Sequence, residues 1–183
     1  MSGLRPLTER LALLLLAALW LCSVVAWPDL PERIPLHFGV SGLPDRWGEK
    51  SILNWFLLPL IGTGTVLMAY GVRWLMVRFP KSTNMPNKEQ YLKLGPEARR
   101  AVHDEIEALM HMISVSTLLV FSLLQLAIFR NANGQSMQAV MMTGLVLWLA
   151  VVPILCTWMI VRVHRSVGAA YRRQMRTKGT DAR

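Results

Sequence analysis

An all-α integral membrane fold with four transmembrane helices is what this chain predicts, and three observations carry it. Hydrophobic residues make up 53 % of its 183 residues and charged residues 17 %. With a mean hydropathy of +0.36, that composition is of the membrane class. Second, four stretches reach or approach the roughly 20 apolar residues needed to cross a bilayer. They are Leu11 to Trp27, Trp55 to Val77, Leu109 to Phe129 and Met137 to Val161. Backbone polar groups in lipid must bond within their own segment, so each stretch is expected to be a helix.

The third observation is where the positive charge lies. Sixteen of the 20 Lys and Arg fall before the first span, at or between spans two and three, or after span four. The other two connections hold only Arg33, Arg46, Lys50 and Arg130. This asymmetry predicts that both termini and the second connection face the cytoplasm. The chain then reads as one membrane domain, 1–183. It has an extracytoplasmic loop over 28–54, a cytoplasmic loop over 78–108 and a basic cytoplasmic tail over 162–183. The net charge of +9 is thereby explained by topology and by attraction to anionic lipid heads, so no nucleic-acid partner is expected.

The first span follows Arg5 and Arg10 and ends in Val24-Val25-Ala26-Trp27-Pro28. A secretory signal cleaved after Ala26 is the rival reading. Retention is preferred, because cleavage would leave an odd number of spans before the basic tail. Cys22 and Cys156 are expected at different depths, beyond disulfide reach, as small apolar fillers.

The next segment, Leu30 to Lys50, crowds three prolines, three glycines, a histidine and a tryptophan between two spans. Pro28, Pro31 and Pro35 favour extended backbone. Ile34 to Phe38 alternates as a short strand, and Ser41 to Asp45 reads as a turn. The segment is expected to fold as a cap over the helices.

Span two carries Pro59 and the patch Gly62-Thr63-Gly64-Thr65, read as a close helix contact. Pro96, followed by Glu97, is a suitable helix start, and the periodicity of Val102, Ile106, Leu109 and Ile113 runs on into span three. Gln125, deep in that span, is expected to face the interior as interhelical glue. Asn131, Asn133 and Gly134 mark a short hairpin before span four. Pro153 is expected to kink that span, and the tail to form a surface helix.

The chemistry expected is sparse. No metalloprotease, phosphate-loop, nucleophile-elbow or CxxC motif is present, and no carboxylate pair falls inside a span. We therefore expect no catalytic group, no cofactor and no resident metal. His37, Asp45 and Glu49 share the outer loop, but one histidine with carboxylates at those spacings is a weak zinc signature. His103, Glu107 and His111 recur on one helical face, read as solvated or interfacial, and Arg73 is read as snorkelling from the inner end of span two. Binding is the stronger possibility for the outer loop. Phe38 and Trp47 offer rigid apolar anchors beside Asp45, Arg46 and Lys50. The competing reading is a self-satisfied cap in which Trp47 packs on the bundle.

Leu30-Pro31, Ile34-Pro35, His37-Phe38, Gly42, Pro44-Asp45, Trp47-Gly48 and Lys50 resemble the signature of the bacterial and archaeal membrane family called domain of unknown function 1648. The inner segment Asn84 to Leu92 is similar to a second stretch of short members. That family includes SdpI-type immunity proteins, which guard a cell against a membrane-active toxin and can signal by holding a repressor at the membrane. The resemblance implies a non-enzymatic binding, immunity-type or sensory protein of the bacterial cytoplasmic membrane. It implies an extracytoplasmic contact at His37, Phe38, Gly42, Pro44, Asp45, Trp47, Gly48 and Lys50. A cytoplasmic regulator would dock at Asn84, Pro86, Asn87, Lys88 and Tyr91. The chain departs from the pattern at Gly39, where members commonly have asparagine, and at Glu49, where a small residue is usual. Expected partners are membrane lipid, an extracytoplasmic peptide or toxin, and that regulator, with homo-oligomer formation left open. The alternatives are a small transporter or permease subunit using Gln125, Thr63 and Thr65, and a metal-dependent membrane enzyme at His37.

Overall fold

A computed structural model describes residues 4–180. The order of elements is α1 (Leu4–Ala26), β1 (Arg33–Phe38), β2 (Pro44–Glu49), α2 (Ile52–Arg78), α3 (Lys88–Leu92), α4 (Pro96–Ala132) and α5 (Gln138–Thr180). Helices α1, α2, α4 and α5 are each long and apolar enough to cross a membrane. The chain is thus a multi-pass membrane protein.

Helix α4 is the hub. It packs against α1, α2 and α5, whereas the main partners of α5 are α4 and the short α3. The predicted start at Pro96 is observed, and α4 runs unbroken from there. Ser51 caps α2, its hydroxyl accepting from the Asn54 amide at 3.2 Å, which satisfies one of the orphan donors of a helix start. Gly62 lets α1, α2 and α4 converge, since a Cβ there would lie 2.9 Å from Leu118. The neighbouring Gly64 faces open space, so one of the two glycines makes the close contact. Gln125 is buried and its Nε2 donates to the Trp55 carbonyl of α2 at 3.0 Å.

The expected helices also run past the apolar stretches: α1 takes in Arg5, Glu9 and Arg10, because helical hydrogen bonding continues past the apolar span. Two expectations are corrected. The basic tail is not a separate surface helix. Through Thr180 it continues α5 without a break, and Val163 and Val167 are buried with Tyr91, Leu94, Val102 and Leu109 in one apolar cluster. Residues 181–183 of that expected tail lie outside the described residues. Pro153 sits inside the continuous α5.

The second correction concerns β2. The segment Pro44 to Glu49, read as turn and loop, pairs antiparallel with β1 in the register Arg33↔Glu49, Ile34↔Gly48 and Pro35↔Trp47. Its glycine, proline and three charges hide it from pattern reading, since strand preference is mostly a matter of neighbours. The hairpin sits between the C-terminus of α1 and the N-terminus of α2. Its base is sealed by Leu30, Ile34 and Trp55 packed on Phe129 and Ala132 of α4.

Candidate functional site

The two ends of the bundle hold the two polar constellations. At the hairpin end, His37 Nδ1 and Asp45 Oδ1 lie 2.6 Å apart, both more than half exposed. Glycines permit this shape at two positions. Gly42 has φ +78°, a left-handed turn conformation that suits glycine. At Gly48 an added Cβ would lie 2.3 Å from Leu36 Cδ1, so the strands approach closely only without a side chain. The turn is tied to α5, where Gln138 Nε2 donates to the Ser41 carbonyl at 2.6 Å.

The eight residues expected to form an outer site divide into two kinds. Trp47, Asp45 and His37 are exposed, with Trp47 at 39 %. Gly42, Pro44 and Gly48 shape the turn and strands, and Phe38 is half-buried. Lys50 is committed at the base: its Nζ donates to the Leu30 carbonyl at 3.1 Å and lies 4.7 Å over the Trp27 ring. The surface open to a partner is therefore His37, Asp45 and Trp47, with Leu36, Val40 and Leu43 exposed beside them. His37 and Asp45 meet, but Glu49 pairs across the strands with Arg33, near the hairpin base. The three potential metal ligands do not converge. Among the described residues no group of three or more His, Cys, Asp or Glu is placed to hold a metal ion.

The inner segment is folded onto the bundle. Tyr91 is fully buried, with its hydroxyl 2.7 Å from His103 Nε2 and the Arg99 guanidinium 5.6 Å from its ring. Burial raises the Tyr91 phenol above its usual pKa, partly offset by Arg99, so the phenol keeps its proton beside His103. Asn87 adopts φ 57° and its amide donates to the His164 carbonyl of α5 at 3.2 Å. Asn84 is exposed, while Pro86 and Lys88 are half-buried. Tyr91 thus joins α3 to α4 internally, and the exposed part of the expected regulator surface is Asn84 with the rims of Pro86, Asn87 and Lys88.

At the same end lies a network that sequence reasoning missed. His103, Glu107 and His111, expected on a solvated face, are all buried. Arg5 of α1 places Nε 2.7 Å from Glu107 Oε2, and Arg73 of α2 places Nη1 3.0 Å from the same oxygen. Arg73 Nη1 also lies 2.5 Å from Asp104 Oδ1, with Arg5 Nη1 at 3.4 Å from it. Arg73 therefore turns inward rather than snorkelling to solvent. Tyr70 donates to Glu9 Oε1 at 2.8 Å and meets the His111 ring edge-on at 5.1 Å. Among the described residues neither ring nitrogen of His111 has a hydrogen-bond partner. Taking charges out of water is costly unless they are paired, and two arginines around one buried carboxylate meet that need. The spacing of His103, Glu107 and His111 on one face of α4 was legible; their burial, and the pairing of Glu107 and Asp104 with arginines about 100 and 30 residues away in sequence, were not.

Residues 14–63, from α1 through the hairpin into α2, match the family model described as domain of unknown function (DUF1648). A protein of Archaeoglobus fulgidus with the printed name "Uncharacterized protein" is 34 % identical over 108 residues. That match covers 52 % of this chain and 57 % of the relative, so the chain spans little more than half of that protein's length. No solved structure matches this chain.

Proposed function

We propose that this chain, whose residues 14–63 match domain of unknown function 1648, is a non-enzymatic binding protein of the cytoplasmic membrane, of immunity or sensory type. Its hairpin faces outward and meets a membrane-active peptide or lipid; both termini and the α2–α4 segment face inward. The observation that carries the reading is the division of labour within the hairpin. Its inner side is spent on Leu30, Ile34 and Trp55, while Trp47, Leu36, Val40 and Leu43 stay exposed around the His37–Asp45 pair. Apolar anchors beside an oriented charge are what peptide hot spots use, and the Lys/Arg asymmetry supports the sidedness. The inner segment would then pass the signal to a cytoplasmic regulator.

The test is survival and membrane potential of a deletion strain challenged with a panel of membrane-active peptides. The strain carries wild type, Trp47→Ala, Asp45→Asn or no protein, at matched membrane levels. Protection by wild type alone is the expected outcome. Equal protection by all three proteins removes the hairpin from the mechanism.

A transport role is the second reading, favoured by the buried network around Glu107 and His111. Thr63, Thr65 and Gln125 bond to neighbouring helices: Trp20 Nε1 donates to Thr63 Oγ1, Ser114 Oγ to the Thr65 carbonyl, and Gln125 to Trp55. A polar path would therefore centre on Glu107 and His111. Vesicle uptake that survives His111→Leu would count against it.

A further inference from the structure

At the basic end of the bundle a cleft opens between α1 and α5, lined by both helices and by α4. Its volume is about 1080 Å³, at the upper end of ligand sites in general. One face of α5, Trp158, Arg162, Arg165, Ala169 and Arg173, lines it at spacings of three and four residues, which place side chains on one helical stripe. Ala101 and Ala108 of α4 and Leu4 of α1 supply an apolar floor and wall.

The charges along the cleft do not cancel. Each of its three carboxylates already has a partner: Asp104 is held by Arg5 and Arg73, Glu105 by Arg162 at 2.6 Å, and Glu9 by the Tyr70 hydroxyl. Arg165 and Arg173 have no carboxylate within ion-pair distance among the described residues, and both are exposed to the cleft. Arg162 also stacks at 5.1 Å over Trp158, at the depth where the apolar stretch of α5 gives way to its basic one. Helical side chains lean towards the N-terminus, here the apolar end, so the unpaired guanidiniums reach back towards the membrane.

We propose that this cleft is a binding site for one anionic phospholipid, with its phosphate at Arg165, the charge of Arg173 adding to the field from about 12 Å further along α5, and an acyl chain along Trp158, Val161 and Ala108. Unpaired arginines above an apolar slot match such a ligand in charge and in polarity, since guanidinium pairs with phosphate through parallel hydrogen bonds. The slot lies between α1 and α5, two helices long and apolar enough to cross a membrane, where lipid is the surrounding solvent. This assignment stands apart from the hairpin's role.

The experiment uses native mass spectrometry of the detergent-purified full chain titrated with phosphatidylglycerol or phosphatidylcholine. Tighter binding of phosphatidylglycerol, by about tenfold or more, is expected from two arginines at roughly 1 kcal/mol each. Arg165→Gln with Arg173→Gln should erase that preference. Lys81→Gln with Lys93→Gln, which removes two charges at the same end but outside the cleft, should leave it. Ala169→Leu narrows the slot with no change of charge and should weaken both lipids. Equal affinity for the two lipids overturns the proposal, as does equal loss in the lysine variant, which would mean diffuse surface charge. Displacement of phosphatidylglycerol by an equal concentration of glycerol 3-phosphate also overturns it, in favour of a soluble phosphate ligand.

Discussion

The hairpin end and the ionic end of the bundle solve opposite problems with the same number of helices. At the hairpin end Leu30, Ile34 and Trp55 turn inward, and the hydrogen-bonded pair His37–Asp45 stands in the open. At the other end the ions turn inward: Glu107 is 1 % exposed with Arg5 and Arg73 closed over it. The difference teaches where each end can afford change. An exposed pair contributes little to stability and is available to a partner. A buried charge must keep its counterions or the structure suffers.

Four expectations sharpen or break this contrast, from the largest effect to the smallest. Glu107→Ala leaves two arginines at the helix interface without their shared carboxylate and should cost about 3–5 kcal/mol. Thermal unfolding in detergent reads it, and a loss below about 1 kcal/mol would show that water already reaches the network. Trp55→Ala is the matching test at the hairpin base. It empties a buried site and orphans the Ser23 carbonyl, which accepts from Trp55 Nε1 at 2.8 Å. A cost of about 3–5 kcal/mol is expected.

Gly48→Ala places a methyl against Leu36, and overpacking of this kind costs about 1–3 kcal/mol. Limited proteolysis should then cut between β1 and β2 while the helices stay intact. Cleavage unchanged from wild type would mean that Leu36 swings aside freely. Smallest of all, Trp47→Ala and Asp45→Asn should each shift stability by no more than about 0.5 kcal/mol, although the proposed function depends on both. A larger shift for Trp47→Ala would make that residue part of the cap.

Much of this architecture is legible in the sequence because its signals are local. Apolar length marks the four long helices, Pro96-Glu97 marks the start of α4, and the alternation of Ile34, Leu36 and Phe38 marks β1. Three of the outer-site residues, His37, Asp45 and Trp47, were named from sequence and stand exposed on one hairpin. The fate of Lys50 was not legible, since its bond to the Leu30 carbonyl depends on how the chain closes at the hairpin base. Tyr91 reads as a polar residue in a polar loop, yet it is buried because α3 folds back onto α4 and α5.

The sequence by itself determined which segments can lie in a membrane and which face carries positive charge, because hydropathy and charge bias are sums over neighbouring residues. Tertiary structure alone decided that Pro44 to Glu49 is a strand and that Glu107 is buried. Strand β2 exists through its pairing with β1. Glu107 is tolerable only because packing of α1 and α2 on α4 brings Arg5 and Arg73 to it. Both depend on partners distant along the chain, and the energy of a pair belongs to neither residue read alone.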